Sequence, residues 1–135
     1  IQPIESPPID PPTMSVIVSI NDSPLSGKEG AYVTSRVIGD RLNRESEHNV
    51  AISVAASERT GAYTVSGRGE LQLGILFETM RREGYEFSVS RPEVIERINS
   101  LTNKREEPVE EILIDLDDEF VGTVVEGLGK RKGTL

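Results

Sequence analysis

The sequence of 135 residues lacks cysteine altogether and contains a single histidine, His48. It therefore excludes a disulfide framework, a thiolate zinc site, a cysteine nucleophile and any site that needs two imidazoles. Tryptophan is absent and aromatic residues make up only 4 %, so no aromatic platform accompanies the basic residues for stacking of single-stranded nucleic acid. No apolar run approaches the roughly 20 residues that span a bilayer.

Positive charge is also scarce, because 15 Lys and Arg residues face 23 Asp and Glu residues and give a net charge of −8. A chain this acidic does not attract bare nucleic acid through its overall field, so any such contact needs a local basic patch. Local patches are present on three predicted helices: Arg36, Arg41 and Arg44; Arg81 and Arg82; and Lys130, Arg131 and Lys132. Without aromatic platforms, they suit a large, shaped RNA surface better than a free strand.

Proline is concentrated in residues 1–12, which hold five of the eight prolines. We interpret this segment as an extended linker, with a proline-rich docking peptide as the alternative. It lacks the basic start and apolar run of a signal peptide. Polar residues 96–108 are predicted to form a second linker. Because the chain opens without methionine and stops where a further unit starts, we expect it to be a piece of a longer protein.

Between these linkers, residues 13–95 show strand and helix periodicities in a definite order. Alternating strands are predicted from Thr13, in a hairpin around Thr60-Gly61, and at residues 85–89, where Arg91-Pro92 ends the last one. Helices are predicted over about 31–47, with Asn49 as a left-handed cap, and after Gly69. The order β-α-β-β-α-β predicts an α+β, ferredoxin-like split βαβ sandwich with two helices on one face of an antiparallel sheet. Residues 109–135 are predicted to form the first strand and helix of a second such unit.

The motifs that could carry chemistry are weak. Gly67-Arg68-Gly69 precedes a helix, but Gln72 replaces the third glycine of a dinucleotide site, and the unit is not a parallel βαβ. Free backbone N–H groups beside Arg68 would suit one phosphate. The alternative interpretation of the same motif is a tight turn that needs a residue without Cβ at position 69. The acidic residues between 106 and 119 match no EF-hand spacing and indicate a solvated surface. We predict no catalytic, cofactor-binding or metal-binding residue.

Several longer motifs carry a family resemblance. They are residues 21–24 (Asn-Asp-Ser-Pro), 27–30, 32–36, 66–73 (Ser-Gly-Arg-Gly-Glu-Leu-Gln-Leu), 80–87 and 90–92. From about residue 12 to the end, the chain resembles the TypA/BipA translational GTPases, which are relatives of elongation factor G. The family often has histidine where Gln72 stands, and glutamine cannot be protonated there. The resemblance implies a third domain over 13–95 and the beginning of a fifth-type domain over 109–135.

The resemblance also implies a function. The parent protein would bind GTP and Mg²⁺ in an N-terminal domain that this chain does not include, and would hydrolyse GTP on the ribosome in translation, ribosome assembly or stress. The chain itself would contact ribosomal RNA, ribosomal proteins and other domains of its parent, with no membrane or DNA partner, in the bacterial cytoplasm or an organelle. The expected contact residues are Arg68, Glu70, Arg81 and Arg82, then Arg36 and Arg41, and Lys130, Arg131 and Lys132 in the last unit.

Two other functions are compatible with the predicted fold. An acylphosphatase-like enzyme would need a phosphate-cradling loop with an arginine directly after the first strand, and residues 21–26 contain none. A ferredoxin-like regulatory module would bind a small ligand, which would raise its melting temperature.

Overall fold

The computed structural model describes residues 10–135, which form a five-stranded sheet, a separate two-stranded hairpin and three helices. The elements are β1 (Met14–Ser19), α1 (Ser35–His48), β2 (Ser53–Ala56), β3 (Tyr63–Gly67), α2 (Glu70–Arg82), β4 (Ser88–Val89), β5 (Glu93–Val94), β6 (Arg97–Ile98), β7 (Arg105–Glu106) and α3 (Asp118–Lys130). The predicted mixture of helices with an antiparallel sheet is confirmed. Most of the predicted linker 1–12 lies outside the described residues.

The sheet is built around β1. Its strand order is β2-β3-β1-β4, and each pairing is antiparallel. β1 pairs with β3 from Met14 opposite Gly67 to Val18 opposite Tyr63. The other edge of β1 pairs with β4 at one end and with β5 at the other. Arg91-Pro92 separates these two short strands, because proline has no N–H to donate to the ladder. The predicted closing strand is therefore interrupted rather than ended by Arg91-Pro92.

One hydrophobic core joins the sheet to the first two helices. Val16 and Val18 alternate along β1 and are buried, and Val65 lies opposite Val16 on β3. The helical residues buried in the same core are Ile38 and Leu42 of α1 and Leu73, Leu76 and Met80 of α2. Since these side chains all meet the face that carries Val16 and Val18, α1 and α2 cover the same side of the sheet.

The first helix starts later than its apolar pattern predicts. The N–H groups of Ala31 and Tyr32 both donate to the carbonyl of Gly84, at 3.0 and 3.1 Å. Tyr32 also forms a parallel bridge with Tyr85. These residues therefore pair with the segment after α2, and α1 begins at Ser35. The predicted left-handed cap at Asn49 is wrong, because Asn49 has a φ of −121°.

The C-terminal part differs from its prediction in two ways. The predicted linker 96–108 contains the hairpin β6–β7, in which Arg97 lies opposite Glu106 and Arg105 forms an ion pair with Glu96. The predicted strand over 109–116 is wrong: these residues pair with no strand among residues 10–135, and an isolated strand is not stable in water. The predicted helix is present as α3, but none of its residues is buried. No helix in the described part is long and apolar enough to cross a membrane.

Gly39 makes the packing of α1 on the sheet sensitive to one methyl group. It is buried in the middle of α1, and a Cβ there would overlap the ring and hydroxyl of Tyr63. We expect Gly39→Ala to lower the free energy of unfolding by about 1–3 kcal/mol through overpacking. Gly74→Ala is the matched control, because a Cβ at this exposed helical position meets nothing within 4 Å. The control should gain about 0.5–1 kcal/mol of stability from helix propensity. Urea unfolding of both variants checks this, and equal effects would contradict the proposed overlap.

Candidate functional site

Arg68 lies in the short turn between β3 and α2, and its side chain is exposed. Its backbone N–H donates to Oε1 of Gln72 at 2.9 Å, and its carbonyl accepts a hydrogen bond from Oγ1 of Thr13 at 3.0 Å. The N–H that could have joined a phosphate cradle is therefore already bound by the first turn of α2. The guanidinium remains accessible. Glu70 is exposed in the same first turn, where its carboxylate interacts favourably with the positive end of the helix dipole.

The glycines on either side of Arg68 differ in how much space surrounds them. Gly69 is extended, with a φ of −175°, and a Cβ there would meet nothing within 4 Å, so the predicted need for a residue without Cβ at this position is wrong. Gly67 is the crowded one: a Cβ would lie 2.9 Å from Cδ2 of Leu73 and 3.0 Å from Oε1 of Gln72. Leu73 is buried in the core and has little freedom to move away.

Arg41 joins the two helices. Its Nε and Nη2 atoms donate to the two carboxylate oxygens of Glu83, at 2.7 and 3.0 Å, and its Nη1 donates to Glu45 at 2.9 Å. The side chain is 13 % exposed. The hydrogen bond to Glu83 is the main reason why the pKa of Arg41 rises above its already high ordinary value. The guanidinium is therefore committed to holding α1 against the end of α2.

Arg81 and Arg82 share one carboxylate at the end of α2. Arg81 contacts both oxygens of Glu78, at 2.8 and 2.9 Å, and Nε of Arg82 lies 2.8 Å from Oε1. Hydrogen bonds from Arg81, then Arg82, lower the pKa of Glu78 to about 2. All three side chains remain open to solvent, so this group presents one net positive charge to the surroundings.

The other predicted contact residues lie at separate places on the surface. Lys130 forms an ion pair with Glu126 at 2.7 Å. Of the nine predicted contact residues, four are exposed cations that form no ion pair with a residue between 10 and 135: Arg36, Arg68, Arg131 and Lys132. Arg68 and Arg81 flank opposite ends of α2, roughly 20 Å apart at 1.5 Å per helical residue. The nine predicted residues therefore do not form one compact site, and residues 10–135 place no three His, Asp or Glu side chains together as a metal site.

Glu86 organises a polar site that the sequence analysis missed. Its Oε1 accepts hydrogen bonds from Nδ2 of Asn21 at 2.7 Å and from the N–H of Gly27 at 2.9 Å. Its Oε2 accepts from the N–H groups of Glu29 and Gly30, at 3.2 and 3.1 Å. The bond from Gly27 and then that from Asn21 lower the pKa of this carboxyl. Glu86 therefore acts as an internal anion that orders the loop after β1.

Alternation along residues 85–89 gives no sign of this role. Glu86 reads as one of the outward polar residues between Tyr85 and Phe87. The available signal was the pair Gly27 and Gly30, because closely spaced glycines let backbone amides approach an acceptor. A Cβ on Gly30 would lie 2.8 Å from Cβ of Glu86.

The fold and these sites define a small mixed α/β module in which Arg41 and Glu86 bind other parts of the same chain and several unpaired cations lie on the surface of the described residues. Its sequence is 52 % identical over 127 residues to "Large ribosomal subunit assembly factor BipA" of Synechocystis, 50 % identical to the protein of that name in Salmonella typhimurium, and 48 % identical to that of Buchnera aphidicola. Each match covers 94 % of this chain.

The resemblance to the TypA/BipA family is therefore confirmed over nearly the whole chain. The chain spans about one fifth of the length of these curated relatives, because the match covers 20–21 % of each relative's sequence. No family model matches the chain.

The two glycines beside Arg68 allow a paired test of the turn. Gly67→Ala should lower the free energy of unfolding by about 1–2 kcal/mol, because the new methyl group presses on Leu73 in a close-packed core. Gly69→Ala should change it by less than about 0.5 kcal/mol, since its backbone is extended and its surroundings are open. Chemical denaturation of both variants measures the difference, and a larger loss at position 69 would show that the turn is built differently.

Removing the Glu86 carboxylate should loosen the loop after β1. Glu86→Gln places a donor NH₂ where the wild type has an acceptor, so we expect a fall of several degrees in the unfolding midpoint at about pH 7. A carboxyl with a lowered folded-state pKa contributes its full stability above the unfolded value, near 4.3, and loses it as the pH falls through the folded value. The difference between wild type and variant should therefore shrink from about pH 5 to pH 2.

The exposed Glu93→Gln substitution is the control, because Glu93 forms no ion pair among the described residues. Calorimetry across this pH range measures both variants. A Glu86→Gln deficit that stays constant down to about pH 2 would mean that the ionised carboxylate does not hold the loop.

Proposed function

We propose that this chain is the non-catalytic, ribosome-contacting region of a BipA-type translational GTPase that acts in assembly of the large ribosomal subunit. The observation that carries the proposal is the 48–52 % identity over 94 % of the chain to proteins of that name. GTP binding and hydrolysis with Mg²⁺ then belong to parts of the parent protein outside this chain. The bacterial relatives favour action in the cytoplasm, next to ribosomes.

We assign residues 13–95 to a ferredoxin-like domain that corresponds to the third domain of elongation factor G. The element order β1-α1-β2-β3-α2-β4, the strand order β2-β3-β1-β4 and the burial of both helices in one core support this assignment. We assign residues 109–135 to the start of a second domain. This assignment would explain why α3 buries no residue here, because the rest of its core would lie outside residues 109–135. The segment 96–108 then joins the two domains through the β6–β7 hairpin.

Within this function, the free cations are the stronger contact residues. Arg36, Arg68, Arg131 and Lys132 can each exchange water and counterions for phosphate without first breaking an ion pair with residues 10–135. Arg81 and Arg82 contribute one net charge beside Glu78, and Lys130 must leave Glu126. Arg41 supports the fold from inside the helix pair, and Glu70 is suited to a contact with another domain or a ribosomal protein.

The acylphosphatase alternative lacks support in the loop after β1, where such an enzyme would bind phosphate. The N–H groups of Gly27, Glu29 and Gly30 would be the donors of a phosphate cradle after β1, and all three donate to Glu86. A bound phosphate would face that carboxylate at close range. No observation on residues 10–135 favours a small-ligand regulatory module.

Charge reversal in the full-length parent protein tests the proposal. We expect Arg68→Glu to weaken cosedimentation with large ribosomal subunits by about tenfold at moderate salt, and to reduce the slope of binding against salt concentration. Arg59→Glu is the matched control, because Arg59 is also an exposed arginine, in the β2–β3 turn, and lies outside the proposed contact set. Equal loss in both variants would indicate only the change in net charge. Unchanged binding of Arg68→Glu, with the fold intact by circular dichroism, would contradict the assignment.

A further inference from the structure

A cleft of about 360 Å³ lies between α2 and the loop that follows β1. The rings of Phe77 and Phe87 line it, with their centroids 5.7 Å apart and their planes tilted by 58°. Both rings are only partly buried against the core, so part of their surface faces the cleft. The cleft therefore combines an aromatic base with an opening to solvent.

The polar lining of the cleft is mostly negative. Its charged groups are three carboxylates, on Glu29, Glu78 and Glu86, and one guanidinium, on Arg81, and Tyr85 also lines the cleft. The oxygens of Glu86 are bound by loop donors, and those of Glu78 by Arg81 and Arg82. Glu29 is exposed and forms no ion pair with a residue between 10 and 135. It lies close enough to Arg81 to assist Glu78, the main cause, in raising the pKa of that arginine.

We propose that this cleft receives the side chain of an arginine or lysine from a basic segment of a protein partner. The aliphatic stem and the cationic group would lie over Phe77 and Phe87, where the negative ring faces attract a cation. The charged end would reach the carboxylate of Glu29, which provides a charge-assisted hydrogen bond. A phosphate group is disfavoured beside Glu29, because it would approach that free carboxylate and the carboxylate of Glu86.

Gly74 keeps the cleft accessible. It lies on the exposed side of α2 and lines the cleft, and a Cβ there would meet nothing within 4 Å. A partner backbone can therefore approach the helix closely at this residue. The site goes beyond the proposed ribosome contact through free arginines and lysines, since it uses the carboxylate of Glu29 and two aromatic rings and does not depend on RNA.

The test uses the 135-residue chain and two small probes. Amide spectra are recorded during titration with N-acetyl-arginine amide, and with N-acetyl-glutamine amide as the uncharged control. We expect the arginine probe to shift the amides of residues 27–30, 74 and 77, with weak, saturable binding, and the glutamine probe to shift them at least about fivefold less. Shifts concentrated in the acidic segment 106–119 would overturn the proposal, because they would indicate attraction to net charge alone.

Two variants separate charge from shape. Glu29→Lys removes the free carboxylate, and Gly74→Leu fills the open side of the cleft without changing any charge. Each should weaken binding of the arginine probe at least about fivefold, whereas Glu110→Lys, with the same charge change in the exposed acidic segment, should leave it unchanged. Thermal unfolding confirms that the variants fold. Undiminished binding to Gly74→Leu, or displacement of the probe by a short single-stranded RNA at the same amides, would contradict a protein-binding cleft.

Discussion

The carboxylate of Glu86 is the interaction on which the N-terminal part of the domain depends. Four donors from the loop after β1 converge on its two oxygens, within 2.7–3.2 Å. This loop, residues 21–30, contains two glycines and would have a large conformational entropy without these hydrogen bonds. One anion with four hydrogen bonds restrains it at both ends and in the middle. The cleft beside Phe77 therefore has a defined wall rather than a mobile one.

Arg41 has the corresponding role on the other side of the helix pair. Its guanidinium is mostly enclosed, and a buried or half-buried charge is costly unless its hydrogen bonds are satisfied. Glu83 and Glu45 satisfy them from two different directions, so the cation is stable only when α1 and the end of α2 adopt this relative position. Geometry therefore decides that Arg41 supports the fold, whereas Arg36 and Arg44 on the same helix stay exposed and form no ion pair with residues 10–135.

Local sequence patterns predict most of the helices and strands, and long-range contacts account for the errors in the prediction. The stripe Leu73, Leu76 and Met80 predicted α2 because helical spacing is a property of the segment itself. The start of α1 was misjudged because Tyr32 pairs with Tyr85, a partner 53 positions away by the numbering. The predicted strand over 109–116 failed since alternation indicates a strand only where a neighbouring strand is available. At the candidate site, the types of the charged residues were visible in the sequence, but their pairing was not.

The division of charge within the chain is compatible with both proposed contacts, one with a polyanion and one with a basic protein. Coulomb forces between exposed charges decay over about 8–10 Å at physiological salt, so a partner responds to the nearest few residues rather than to the net charge of −8. Arg68 precedes α2, and the cleft lies along this helix from Gly74 to Arg81, about 9–20 Å further on at 1.5 Å per residue. Each surface can therefore attract its own partner.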